Sequence, residues 1–254
     1  MCRLLGWNGL RTPLGAPVLD APHALARQAL ASREAPVTRH GDGNGLAWHA
    51  RRGGSPVRLR SGRALWEDPR TVAACRAEAA PLALAHVRAA TDGGAKAVNS
   101  HPFVDGRLAF VHVGAIAGMD AIRPRLLDAL SARRRRSILG DTDSEVLFAL
   151  LVEHGLERAP ASAYAAVLRF LAEAQAAAGT ERSVRLAALH TDGRSLFARR
   201  HATDGDPPPL YRSFSFLPGT GTVASEPLDD RRRGWSALPA GRLWRIGPRA
   251  LGAA

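Results

Sequence analysis

A cysteine stands at position 2 of the chain. Removal of Met1 would place a free α-amino group beside its thiol. The thiolate is a nucleophile, and an α-amine with a reference pKa of about 8 is a usable general base near neutrality. Nucleophile and base would then belong to one residue, and no catalytic histidine would be needed. Two further charged residues stand at the ends of elements. Arg88 ends an otherwise apolar stretch (Leu82, Ala83, Leu84, Ala85, Val87), where a guanidinium calls for a partner and suits a carboxylate. Asp143 opens a helical stretch, where a carboxylate stabilises the helix start. His86, His101 and His112 raise the question of a metal. No short-range ligand pair such as HxxxH occurs on a helix, and two cysteines are too few for a structural zinc site. They read as hydrogen-bonded structural histidines around a pocket, with no metal and no cofactor.

The elements that must position these groups follow from periodicity and punctuation. Residues 3–7 read as a strand starting almost at the terminus, and Pro22–Ser32 as a helix with Leu25, Ala26, Ala29 and Leu30 at helical spacing. A glycine-rich loop, residues 40–45, precedes a strand over Leu46–Arg51. It lacks the Lys-Ser/Thr ending and the following helix of a phosphate loop. Pro69–Ala80 is Ala-rich and helical, with Cys75 a small core residue. Pro81–Arg88 and Arg107–Val113 read as buried strands. Ala121–Leu130, Asp143–His154 and Ala161–Ala178 read as helices, the second started by Asp141, Thr142 and Ser144. After about Gly179 strands dominate: Val184–His190, Ser195–Arg200, Tyr211–Phe216, Gly221–Ala224 and Arg242–Ile246. Thr191-Asp-Gly-Arg194 is a hairpin turn between the first two. Strands do not alternate regularly with helices, so antiparallel sheets covered by helices fit better than a doubly wound parallel sheet.

Composition sets the outer bounds. A chain of 254 residues with 46% hydrophobic and 23% charged residues is of ordinary globular type. No apolar run approaches the ~20 residues of a membrane-spanning helix, and the first residues lack a signal-peptide pattern, so the expected location is the cytoplasm. The formal charge of +12 is almost wholly arginine, since Lys96 is the one lysine. Its two dense runs, Arg133–Arg136 and Arg231–Arg233, read as solvated segments. No nucleic-acid motif accompanies them.

Five segments together resemble the class II glutamine amidotransferases, and within them the small stand-alone branch that includes ergothioneine-pathway γ-glutamyl hydrolases. In order they are Met1-Cys-Arg-Leu-Leu-Gly-Trp7, His86-Val-Arg-Ala-Ala-Thr91, Asn99-Ser-His-Pro-Phe103, Phe110-Val-His-Val-Gly-Ala-Ile116 and Gly140-Asp-Thr-Asp-Ser-Glu145. The tail Ala224-Ser-Glu-Pro-Leu-Asp-Asp230, then Gly234-Trp-Ser236, also resembles that hydrolase branch, as does Leu65-Trp66-Glu67-Asp68-Pro69. The resemblance spans nearly the whole chain, expected to be one domain over 1–254. It implies an α+β fold, the four-layer αββα sandwich of N-terminal-nucleophile hydrolases, with two antiparallel sheets between helical layers. It implies Cys2 as nucleophile, Arg88 as grip for a substrate α-carboxylate with Thr91 beside it, Asp143 for the α-ammonium, and Gly114 N–H for the oxyanion. Residues 41–45 match a family turn in which Asn44 stands where Trp is usual.

One departure bears on activity. The family's oxyanion hole pairs an Asn side-chain amide with a Gly N–H; here the pair is Val113-Gly114. Losing one such donor costs about 2.7–4 kcal/mol of transition-state stabilisation, roughly 10²–10³-fold in rate, and an apolar side chain would dry that wall of the pocket. Asn99 or Asn44 could replace the donor, the enzyme could be slow, or binding could survive without hydrolysis. The expected substrate is a small-molecule γ-glutamyl compound, with a γ-glutamyl conjugate favoured over glutamine. No synthase domain is visible, and a pathway partner or a second copy of the chain is left open. The alternative reading is a catalytically impaired γ-glutamyl-binding or partner-dependent subunit.

Overall fold

Leu4 and Leu5 are both fully buried, yet they pack in different hydrophobic clusters. Successive side chains of a strand face opposite ways, so a strand buried on both faces lies between two layers of other structure. That is the position of β1 (Arg3–Pro13). The computed structural model describes residues 2–35, 38–90, 95–247 and 251–253. After β1 the order is α1 (Leu25–Leu30), β2 (Asn44–His49), β3 (Val57–Ser61), α2 (Pro69–Ala77), β4 (Ala79–Val87), β5 (Phe103–Asp105), β6 (Leu108–Ile116), α3 (Met119–Asp128), α4 (Ala132–Ser137), α5 (Asp143–Glu153), α6 (Pro160–Ala177), β7 (Val184–Thr191), β8 (Leu196–Ala202), β9 (Tyr211–Ser213), β10 (Gly221–Ala224), β11 (Ser236–Ala237), β12 (Leu243–Ile246) and β13 (Leu251–Ala253).

The strands form two antiparallel sheets, one ordered β11-β9-β10-β1-β4-β2-β3 and the other β13-β12-β8-β7-β6-β5. Three apolar layers hold them. Leu4, Leu82, Leu84, Val111, Leu189 and Val223 fill the space between the sheets. Leu5, Trp7, Trp48 and Ala85 on the other face of the first sheet pack against Leu25 of α1 and Cys75 of α2. Phe110, Leu186 and Phe197 on the outer face of the second sheet pack against α3, α5 and α6 through Leu126, Leu150 and Leu171. Each Leu, Val or Phe among them, fully buried, contributes about 1.5–3 kcal/mol. The result is the expected αββα sandwich. Because both faces of the inner strands are covered, Leu82-Ala-Leu-Ala reads as a continuous apolar run rather than an alternation.

The differences from the sequence reading have physical causes. β1 runs on to Pro13 because β10 and β4 flank it, with an irregularity between Asn8 and Thr12. β3 is an edge strand that pairs with β2 alone; its Val-Arg-Leu-Arg-Ser pattern, with Val57 and Arg58 exposed, gives little apolar signal. The arginine run 133–136 forms the short, solvated α4, capped by Ser131, with Arg134 paired to Asp105 at 2.7 Å. No helix of the described residues is long and apolar enough to cross a membrane.

Several histidines are buried in neutral form. Burial holds His190, stacked on Phe197, down at about 3. Burial, then the nearby Arg3 charge, holds His40 at about 4. The unfolded imidazole takes a proton near 6.5 while the folded one does not, so stability is full above that value and is lost as pH falls toward 3–4. At pH 4.5, two units below the free value, each of these histidines is expected to subtract about 3 kcal/mol. Urea melts between pH 7 and 4.5 check this; a flat profile would contradict it.

Candidate active site

Cys2 immediately precedes β1, whose partner strand β4 ends at Val87. The two strand ends therefore put Cys2 beside Arg88 and Ala89, and the Cys2 thiol donates to the Ala89 carbonyl oxygen at 3.6 Å. Across the gap lie the end of β6 and the start of α5. Together they enclose a cavity of about 790 Å³ lined by Cys2, Arg88, Ala89, His101, His112 and Gly114, then by Ala115, Ile116, the turn into α3 and residues 141–144.

Local structure explains each placement. The glycine-rich loop pins the end of β4: Asp42 N–H donates to Arg88 O at 3.0 Å, Arg88 N–H to Gly43 O at 2.8 Å, and Ala90 N–H to the Asp42 carboxylate at 2.8 Å. Arg88 is only 5% exposed, and Cys2 is half-buried. Burial pushes the Cys2 thiol above its usual range, while the Arg88 and Arg3 charges pull it back. At Gly114 φ is +154°, and a Cβ there would overlap the Arg185 carbonyl and sit 2.7 Å from His112 Nε2, so glycine is required. Asp143 begins α5, where Thr142 caps Glu145 N–H at 3.2 Å. Its carboxylate accepts from Ser144 Oγ at 3.0 Å and from Ile116 N–H at 3.2 Å, tying α5 to the end of β6. Glu145 reaches back to Gly140 N–H at 2.7 Å, fixing the loop ahead of the helix.

The histidines serve the walls. His112 Nδ1 lies 2.9 Å from Ser144 Oγ, and His101 Nδ1 lies 2.9 Å from His86 Nε2. Burial holds all three below the usual imidazole range. Among the described residues no group of three or more His, Cys, Asp or Glu is arranged to hold a metal.

The structure brings together Cys2, Arg88, His101, His112, Gly114 and Asp143. Thr91 lies outside the described residues. Three expectations need correction. Val113 does not wall the pocket: strand alternation turns it into the inter-sheet layer, 2% exposed, in the cluster against which Cys2 packs. Asn44 is not a spare donor: its amide donates to Arg63 O at 3.0 Å and to Asp68 at 3.1 Å, and its oxygen accepts from Thr71 at 2.8 Å. Asn99 exchanges two hydrogen bonds with Asp141, at 2.6 and 3.2 Å. Neither asparagine borders the cavity. Sequence reasoning missed Asp42, Ser144 and Glu145 as supports. The signal for the last was present, since Thr142-x-x-Glu145 is a capping-box pattern.

A cysteine at the head of a central strand, opening on a cavity of an αββα sandwich, defines the N-terminal-nucleophile class of architecture. Within it, the chain belongs to the class II glutamine amidotransferases, whose family profile, "Glutamine amidotransferases class-II", matches residues 1–205. It is 30% identical over 161 residues to the probable glutamine amidotransferase DUG3 of Saccharomyces cerevisiae, covering 60% of this chain and 45% of that protein. The chain thus spans less than half the length of that relative. A glutamine aminotransferase class-II domain protein of Silicibacter pomeroyi has a similar structure, with TM-score 0.77 and 28% identity over 100% of this chain and 98% of that one. The glutamine phosphoribosylpyrophosphate amidotransferase of B. subtilis shares the fold, at TM-score 0.65 and 17% identity over 100% of this chain and 49% of that one.

Proposed function

We propose that the chain hydrolyses a γ-glutamyl amide through a thioester on Cys2, releasing glutamate. The observation that carries this reading is the convergence of Cys2, Arg88, Gly114 and Asp143 on one cavity. After Met1 is removed, the Cys2 α-amine takes the thiol proton, and the thiolate attacks the γ-carbonyl. Gly114 N–H holds the oxyanion. The amine departs with that proton, and water then cleaves the thioester to free glutamate and the thiol. Arg88 grips the α-carboxylate, and Asp143 takes the α-ammonium. The whole chain, 1–254, acts as one catalytic unit in this reading.

A cavity of about 790 Å³ lies in the range that takes drug-sized ligands, more than a glutamyl group alone fills. That supports a γ-glutamyl conjugate over free glutamine, as does the resemblance of the tail to the thiol-histidine hydrolase branch. Glutamate release from a panel of γ-glutamyl amides, with glutamine included, tests the assignment. Faster release from glutamine than from every conjugate would contradict it.

Val113 favours a second reading, a γ-glutamyl-binding or partner-dependent subunit. Glutamate release by the Met1-free protein separates the two. Val113→Asn is expected to leave that release within a few-fold of wild type, because residue 113 faces the inter-sheet layer, and to cost about 1–3 kcal/mol of stability for burying an amide there. Binding of a γ-glutamyl ligand with no release of glutamate would favour the binding role.

A further inference from the structure

The nucleophile is also held from the far end of the chain, beyond the residues that the family profile covers. β10 pairs with β1 through Leu5↔Ala224, and the pairing continues outward: Leu4 N–H donates to Ser225 Oγ at 2.9 Å, and Ser225 N–H to Leu4 O at 3.0 Å. The next pair across is Arg3 and Glu226, at 3.1 Å between Arg3 Nη1 and Glu226 Oε1. Their side chains are 0% and 4% exposed. Arg3 Nε donates to the Cys2 carbonyl oxygen at 2.7 Å.

A buried guanidinium is costly unless it is paired and hydrogen-bonded. Glu226 supplies the pairing, and its own position does not depend on Arg3. Its carboxylate accepts from the Ser32 hydroxyl, from Arg33 N–H at 3.0 Å and from Glu34 N–H at 3.1 Å. The turn at 32–34 therefore fixes the carboxylate, the carboxylate fixes Arg3, and Arg3 fixes the Cys2 peptide.

We propose that Glu226 is a positioning residue for Cys2, acting through Arg3. The proposal rests on the reading of Cys2 as nucleophile. It also has an electrostatic side. The charges that face the thiol are the α-ammonium of the chain, Arg88 from the end of β4 and Arg3 from its own strand. Glu226, with Glu34 near it, counters Arg3, and the neighbouring His40 is neutral at pH 7. Removing the Glu226 charge leaves the Arg3 cation unbalanced beside the thiol.

The test measures two things in Glu226→Gln: kcat and KM for the best γ-glutamyl substrate, and the pH dependence of Cys2 alkylation by iodoacetamide, read on the Cys2 peptide by mass spectrometry. The expected result is a kcat lower by about tenfold or more with KM little changed, and an alkylation midpoint lower by about half a unit or more. Arg3→Met is expected to move that midpoint the other way. Unchanged kcat and midpoint, with only a lower melting temperature, would make Glu226 merely structural and overturn the proposal. Should Glu226→Gln fail to fold, Glu226→Asp keeps the charge and shortens the arm. It is expected to keep the midpoint and lose kcat, and wild-type kcat in that variant would overturn the proposal. Alkylation needs no turnover, so an inactive protein that still shows both midpoint shifts counts against the hydrolase reading and not against this one.

Discussion

Cys2→Ala is expected to abolish glutamate release while leaving substrate binding within a few-fold of wild type. Cys2 is the thiol that borders the cavity, because Cys75 is 1% exposed in the helix-facing layer of the first sheet and burial pushes its thiol up to about 12. Loss of the nucleophile in an enzyme of this logic costs on the order of 10⁶ in kcat. Calorimetry with a γ-glutamyl ligand supplies the second half of the result, because Arg88 and Asp143 stay in place. Residual release above about one part in 10³ of wild type would mean that another group attacks the amide.

Arg88→Lys is expected to raise KM about a hundredfold with a much smaller change in kcat. A lysine keeps the charge but loses the two-pronged geometry that matches a carboxylate, a difference of about 2–3 kcal/mol at a desolvated site. The main chain at Arg88 is held by Asp42 and Gly43, which keeps the end of β4 in place in the variant. A γ-glutamyl analogue lacking the α-carboxylate gives the complementary measurement: its KM should be high in both proteins and nearly equal. An unchanged KM in Arg88→Lys would place the carboxylate elsewhere.

The strands that build the site were legible because their apolar runs are long, as in Leu82–Val87 and Leu108–Val113. The four-layer arrangement was not derivable from periodicity. It came from the resemblance, and the two-sided burial of Leu4 and Leu5 shows its physical content. The groups with obvious chemistry, Cys2, Arg88, Gly114 and Asp143, line one cavity. What escaped the sequence was direction and long-range pairing. Val113 carries no mark of which face it takes until β6 is in register with β7. Asn44 looks like a free amide until Asp68 and Thr71 close around it. Arg3 is one of 35 basic residues, and only the β1–β10 register reveals that Glu226, 223 residues on, is its partner.

The central claim is that a glutamyl group passes through Cys2. Rapid acid quench of the Met1-free protein during turnover of its best γ-glutamyl substrate, followed by mass spectrometry of the N-terminal peptide, tests it most directly. The expected result is a transient glutamyl thioester on Cys2 that forms and decays at rates compatible with glutamate release. Steady glutamate release with no glutamyl adduct on that peptide at any quench time would contradict it.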